Sequence, residues 1–388
     1  MSVTGAAGFL AAGATAGLKT SGRPDLALVV NSGPDHVAAA VFTSNRVKAA
    51  PVLWSQQVMA DGRLQAVVLN SGGANACTGP AGFADTHETA ELVAATLSGR
   101  GLTVGAVDVA VCSTGLIGER LPMARLRSGI AAVAEQLSPT GGAAAASAIM
   151  TTDTVAKEAR YSDEGWSVGG MAKGAGMLAP GLATMLVVLT TDAVVRPDLL
   201  QAQLADACRR SFDRVDSDGC MSTNDTVILM SSGASGVQPA PVDFQAALEE
   251  TCSDLAHQLL ADAEGAAHEI AITVAHAATE EDAVEVGRAV ARSNLFKCAV
   301  FGGDPNWGRV LAAIGTTGAA YEPDRLDVSF NGVQVCRDGQ IGDSRDLVDL
   351  SARAVQVLID LRAGPRTATI WTNDLTYDYV RENAEYAT

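Results

Sequence analysis

Residues 184–191 read Thr-Met-Leu-Val-Val-Leu-Thr-Thr, a nearly unbroken apolar run behind the Gly- and Pro-bearing stretch 173–181. A strand without a polar face has to be covered on both sides, so the fold needs a layer above this segment and a layer below it. The run also puts Thr184 at the mouth of that strand, at the edge of the core. A Thr there has two readings. It is an ordinary β-former opening the strand, or it is the nucleophile of an enzyme that cuts its own chain. At a chain start, a Thr has its α-amine, of pKa roughly 7.7–8.0, within reach of its hydroxyl. One residue then supplies nucleophile and base.

The rest of the sequence reads as alternating strands and helices. Strands are expected at 26–30, 37–43, 64–70, 107–114, 184–191, 226–232, 270–275, 326–330 and 368–372, from β-branched content and flanking Gly, Asn or Asp. Helices are expected at 84–97, 122–135, 197–212, 243–260, 280–291 and 307–314, several opening on Asp, Pro or Asn. No repeat and no strict βαβ period appears, so the sheets should be mixed. The fold class is α/β. With 388 residues the chain is long enough for two or three domains, and the break at 275–280 suggests domains at 1–275 and 276–388.

A formal charge of −17 disfavours a phosphate backbone or an anionic membrane surface as partner. The longest apolar stretch, 178–189, holds Pro180 and Gly181 and is shorter than the ~20 residues of a membrane span. Seven cysteines without CxxC spacing fit a reducing compartment, and the first cation, Lys19, comes too late for a signal peptide. The protein is expected to be soluble and cytoplasmic. The five His residues show no HxH or HExxH spacing, so no metal site is expected.

Several segments could carry chemistry. Cys112-Ser113-Thr114-Gly115 ends an apolar strand with a hydroxyl and a flexible amide, a pair that suits either an oxyanion hole or an ordinary Gly turn. The 70–75 loop, Asn-Ser-Gly-Gly-Ala-Asn, could cradle an anion but reads better as a structural turn. Asp304–Arg309 is either functional or a helix cap with a packed Trp307. Glu264 could face a cationic substrate or simply be solvated. Asn224-Asp225-Thr226 fits a glycosylation pattern that a cytoplasmic chain would not use.

Together these segments resemble the bifunctional glutamate/ornithine N-acetyltransferase family of arginine biosynthesis. The resemblance rests on blocks 70–79, 112–118, 148–153, 173–186, 222–226, 262–265 and 303–309, and on the ending Asn383-Ala384-Glu385-Tyr386-Ala387-Thr388. It implies an αββα-type sandwich core with a smaller C-terminal α/β domain. It implies cleavage between Ala183 and Thr184, with Thr184 as nucleophile and Thr114 and Gly115 as the oxyanion hole. The implied substrate contacts are Thr151, Lys173, Thr184, Glu264, Asn383 and Thr388, with the C-terminal tail folded back over the site. The implied substrates are N2-acetylornithine and glutamate, with acetyl-CoA as a further donor that the family admits and no bound cofactor. The implied assembly is a heterotetramer of two α chains, 1–183, and two β chains, from 184. Two other readings share these residues: a self-cleaving aminopeptidase or amidohydrolase, and an uncleaved small-molecule-binding relative.

Overall fold

The computed structural model of the chain describes residues 2–178 and 185–385. A first sheet has the order β1 (Phe9–Ala14), β2 (Leu26–Asn31), β4 (Ala66–Asn70), β5 (Val109–Ser113), with only the β4–β5 pair parallel. A second sheet has the order β3 (Val37–Phe42), β9 (Thr226–Ser231), β8 (Leu186–Thr191), β7 (Trp166–Lys173), β6 (Lys157–Asp163), with only β8–β9 parallel. Both sheets are mixed, as expected.

Every residue of β8 is buried. The period-2 alternation of a strand divides it between two cores. Leu186 and Val188 join the cluster built from the first sheet, with Leu28, Val29 and Val68. Val187 and Leu189 join a second cluster with Leu200 and Leu204 of α5 (Pro197–Arg210) and Leu248 and Leu255 of α6 (Pro241–Ala261). Helices α2 (Gly79–Ser98) and α3 (Met123–Glu135) pack on the first sheet, and α1 (Ala50–Val58) and α4 (Gly142–Ala148) lie beside β5 and β1. The result is the expected helix–sheet–sheet–helix sandwich.

A third sheet has the order β13 (Gln340–Ile341), β12 (Val333–Arg337), β11 (Asp327–Phe330), β14 (Ala354–Asp360), β10 (Glu269–Ala277), β15 (Arg366–Asn373). One face is covered by α7 (Glu280–Ala291), α8 (Asn294–Phe301) and α9 (Trp307–Ile314) through Ile270, Ile272, Val357, Val286 and Phe296. The other face carries Gln356 and Leu358, both exposed. Strand β10 pairs with β14 and β15, so it crosses the boundary expected at 275/276 and belongs with the C-terminal sheet. The short α10 (Tyr377–Glu385) follows β15. No helix among the described residues is long and apolar enough to cross a membrane.

Candidate active site

The sequence-expected site residues within the described chain come from five separate segments, yet Thr114, Gly115, Thr151, Lys173, Glu264 and Asn383 all line one cavity of about 120 Å³. Ala183, Thr184 and Thr388 lie outside the described residues. A larger cleft, of about 520 Å³, runs between α5 and α7 and is lined by Arg214, Glu280 and Arg288. It contains none of the expected residues.

Thr114 directly follows β5. It is fully buried, and its backbone is pinned by donation from its N–H to Asn70 O (3.0 Å) and from Gly73 N–H to its carbonyl (2.9 Å). Its Oγ1 is enclosed and has no hydrogen-bond partner among the described residues. A buried hydroxyl without a partner is uncommon in native structures and calls for an explanation. Gly115 sits at φ +126°, and a Cβ there would lie 2.8 Å from Gly73 N, so only glycine fits. The 70–75 loop is therefore a structural support. Its Gly73 and Ala74 amides are spent on the carbonyls of Thr114 and Leu116, leaving neither for an anion.

Lys173 ends β7 and is 1% exposed. Burial lowers its pKa to about 8 against the pull of Asp153 and Asp225, which favour the charged form. Its Nζ approaches Thr151 Oγ1 at 3.4 Å, and the Thr151 N–H donates to Asp153 Oδ2 at 2.9 Å. Asp153 also accepts from Gly174 N–H (2.7 Å) and from Lys157 Nζ (2.6 Å). Lys157 in turn donates to Asp262 Oδ2 at 2.6 Å. Burial pushes the Asp153 carboxyl upward, but Lys157 and Lys173 outweigh it and hold the pKa below the usual range. This buried network fixes Thr151 and the start of the 174–178 loop relative to each other.

Glu264 follows α6, and its N–H donates to Ala175 O at 2.9 Å. A Cβ on Gly176 would lie 2.6 Å from Glu264 Oε2, so any larger residue there would push this carboxylate out of its present position. Glu264 is thus a cavity-lining residue as well as the partner of Asn383, whose Nδ2 lies 3.1 Å from Oε2. Of the C-terminal tail, Asn383 lines the cavity.

Two carboxylates that sequence reasoning passed over flank the 179–184 segment. Asp218 Oδ2 accepts from Met177 N–H at 2.7 Å, and Met177 is a non-glycine residue at φ +55°. The Tyr379 phenol faces the same carboxylate. Asp225 Oδ1 accepts from Met185 N–H at 3.1 Å, while its Oδ2 is buried without a hydrogen-bond partner among the described residues. Burial pushes the Asp225 carboxyl well above the usual range. A signal for Asp225 was present, since an acidic residue directly before a strand with the apolar run Val-Ile-Leu-Met is hard to account for as a solvated group. Asp218 had no such signal. The 304–309 segment is a cap: Asn306 Oδ1 accepts from Arg309 N–H at 3.1 Å at the start of α9, in the third-sheet unit.

The cavity therefore combines an unpaired hydroxyl beside a glycine amide with a buried cation and a carboxylate. That set suits acyl transfer to or from a zwitterionic molecule. The ArgJ family profile matches residues 10–388. The arginine biosynthesis bifunctional protein ArgJ of Streptomyces coelicolor is 63% identical over 387 residues, covering 100% of both chains. The protein of the same name from Mycobacterium leprae is 58% identical over 390 residues, 99% of this chain and 95% of that one. Among solved structures, ornithine acetyltransferase complexed with ornithine from Mycobacterium tuberculosis is 65% identical where 46% of this chain aligns with 94% of that chain, at a TM-score of 0.46. With all its family blocks but 303–309 represented at one cavity and the profile matched over nearly its whole length, the chain belongs to the ArgJ family.

Proposed function

We propose that this chain is a self-activating acetyltransferase that moves the acetyl group of N2-acetylornithine to glutamate through an acetyl ester on Thr184. The observation that carries the reading is the unpaired Thr114 hydroxyl beside Gly115, in a cavity that also holds Lys173 and Glu264. Family membership over residues 10–388 supports the same chemistry.

In maturation the Thr184 hydroxyl attacks the Ala183 carbonyl, the peptide C–N bond breaks as the acyl group passes to Oγ, and the Thr184 nitrogen takes up the proton. Water then hydrolyses the ester, leaving a carboxylate on Ala183 and a free α-amine on Thr184. In transfer that amine takes the hydroxyl proton as Oγ attacks the acetyl carbonyl of acetylornithine. Thr114 Oγ1–H and Gly115 N–H stabilise the oxyanion, a contribution of about 3–4 kcal/mol per preorganised donor. The tetrahedral intermediate collapses with the proton passing to the departing nitrogen of ornithine. Glutamate enters, its α-amine attacks the acetyl ester, and the same steps run in reverse.

Lys173 pairs with a substrate carboxylate and Glu264 with the ornithine ammonium, the group that distinguishes donor from acceptor. Acetyl-CoA serves as a second acetyl donor, and two cleaved α/β pairs assemble into the heterotetramer.

The test is the denatured intact mass of the protein and of a Thr184→Ala variant, before and after incubation with N2-acetylornithine. Fragments ending at Ala183 and starting at Thr184, with one acetyl group on the second that glutamate removes, are expected for the unaltered protein only. Acetylornithine consumed equally fast without glutamate would favour a hydrolase, and an intact chain that takes up no acetyl group would favour a binding protein.

A further inference from the structure

The loop that leads into β9 carries a second buried hydroxyl that bonds to nothing among the described residues. Thr223 is 8% exposed, its Oγ1 is enclosed without a hydrogen-bond partner among the described residues, and the residue lines the same cavity as Thr114, Lys173 and Glu264. Were the position only structural, Val would fill the same volume without leaving a polar group unsatisfied. The backbone around it is held on both sides. Ala49 N–H donates to Thr223 O at 2.8 Å, and Thr43 Oγ1 donates to Ser222 O at 2.9 Å. Asn224 Nδ2 donates to Ser113 O, tying this loop to the residue before Thr114. The two unpaired hydroxyls thus belong to one tied unit. That unit lies at the end of the second sheet where β8 begins, since β9 is the parallel neighbour of β8 and Asp225, two residues after Thr223, accepts from Met185 N–H.

We propose that Thr223 contacts the substrate, its hydroxyl donating to the acyl oxygen alongside Thr114 and Gly115. The inference rests on the acetyltransferase reading above. As the tetrahedral intermediate forms, the carbonyl oxygen gains negative charge and accepts from the Thr223 hydroxyl. On collapse the charge returns to the new C=O bond, and Thr223 keeps its proton throughout. A preorganised donor of this kind acts on the chemical step more than on substrate affinity.

The experiment compares Thr223→Val, which keeps the shape and removes the hydroxyl, with Thr223→Ser, which keeps the hydroxyl. Both half-reactions are followed on cleaved protein: release of ornithine from N2-acetylornithine, and discharge of the acetyl-enzyme to glutamate. Thr223→Val is expected to lower kcat in both by about 10- to 100-fold, with KM within about twofold and the melting temperature unchanged. Thr223→Ser is expected to restore the rates. Wild-type kcat in the Val variant, an effect confined to KM, or a loss that Ser does not restore would each overturn the proposal. A folded Thr223→Val that stays uncleaved beside a Thr223→Ser that cleaves would support it, because the hydroxyl would then serve the Ala183 carbonyl in the first acyl transfer. A wild-type protein that never takes up acetyl from acetylornithine would overturn the acetyltransferase reading itself. That result is distinct from an active wild type beside an equally active Val variant.

Discussion

Asn383 Nδ2 donates to Glu264 Oε2 at 3.1 Å, joining α10 to a loop 119 residues earlier in the chain. The same amide donates to Tyr379 O at 3.0 Å, so the helix itself orients the group that holds the carboxylate. Replacing Asn383 by Leu leaves Glu264 free to move. Because the pair is solvent-accessible, the lost hydrogen bond is worth about 0.5–1.5 kcal/mol. We expect KM for acetylornithine to rise about three- to tenfold, with a smaller change for glutamate. Equal rises for both substrates would sink the assignment of Glu264 to the ornithine ammonium.

The pH dependence follows from Lys173. Its charged form is the one that can pair with a substrate carboxylate, and burial has brought its pKa down to about 8. The groups acting on it are Asp153 and Asp225, which favour the ammonium, and Lys157 and Lys19, which oppose it. KM for glutamate should therefore rise about tenfold per pH unit above that pKa, and Lys173→Met should raise KM while flattening the profile. For stability the sign is the opposite of that of a stabilising ion pair. A lysine pKa depressed on folding destabilises fully below about 8, and the penalty fades as pH climbs toward the ordinary lysine value of 10.5. Melting curves at pH 7 and pH 9 of the wild type and Lys173→Met check this.

The proposed oxyanion hole can be emptied in two ways that differ in structural cost. Thr114→Val removes an unpaired hydroxyl while keeping the volume, so folding should be unaffected and transfer should fall about 10²- to 10³-fold. Gly115→Ala meets Gly73 N at 2.8 Å in a backbone region closed to alanine, and should cost stability of order 1–3 kcal/mol as well. Comparable rates in Thr114→Val and wild type would remove Thr114 from the oxyanion hole.

Asp218 holds the strained Met177 from one side and faces Tyr379 from the other. Asp218→Ala strands the partly buried amide of Met177, at about 1–3 kcal/mol, and leaves the exposed amide of Cys220 to water. The expected result is self-cleavage slowed at least tenfold in a time course of intact masses, with a milder slowing in Tyr379→Phe. Cleavage at the wild-type rate in both variants would show that the loop keeps its shape without them.

How far the sequence could be read depended on whether a signal was local. β8 was visible because its apolar run is uninterrupted, and α9 because Asn306 sits where a cap belongs. The β6–β7 hairpin was not. Its outer strand is Lys157-Glu158-Ala159-Arg160-Tyr161-Ser162-Asp163, whose charges read as solvated, and Gly169-Gly170 interrupts the inner one. Those glycines are needed because a Cβ at Gly169 would strike Ser2 O at 2.5 Å, a contact made across the fold. Thr114, Lys173, Glu264 and Asn383 were found through the order of whole blocks, since each alone has an ordinary structural explanation. Asp218 and Lys157 do their work through partners that only folding brings near, and nothing in their neighbours announces it.

The order of the second sheet bears on what would become of the chain if the bond at 183–184 is cut as proposed. Reading across β3, β9, β8, β7, β6, the first strand and the last two come before the cut, and the two between them come after it. The two products are therefore interleaved, with cross-product ladders on both sides of the β9–β8 pair. Neither product can leave without tearing two ladders and opening the apolar layers on both faces, so the mature protein would unfold as one body although it is two polypeptides. Refolding it from separated products becomes a second-order reaction that depends on concentration, whereas the uncut precursor finds the same arrangement alone.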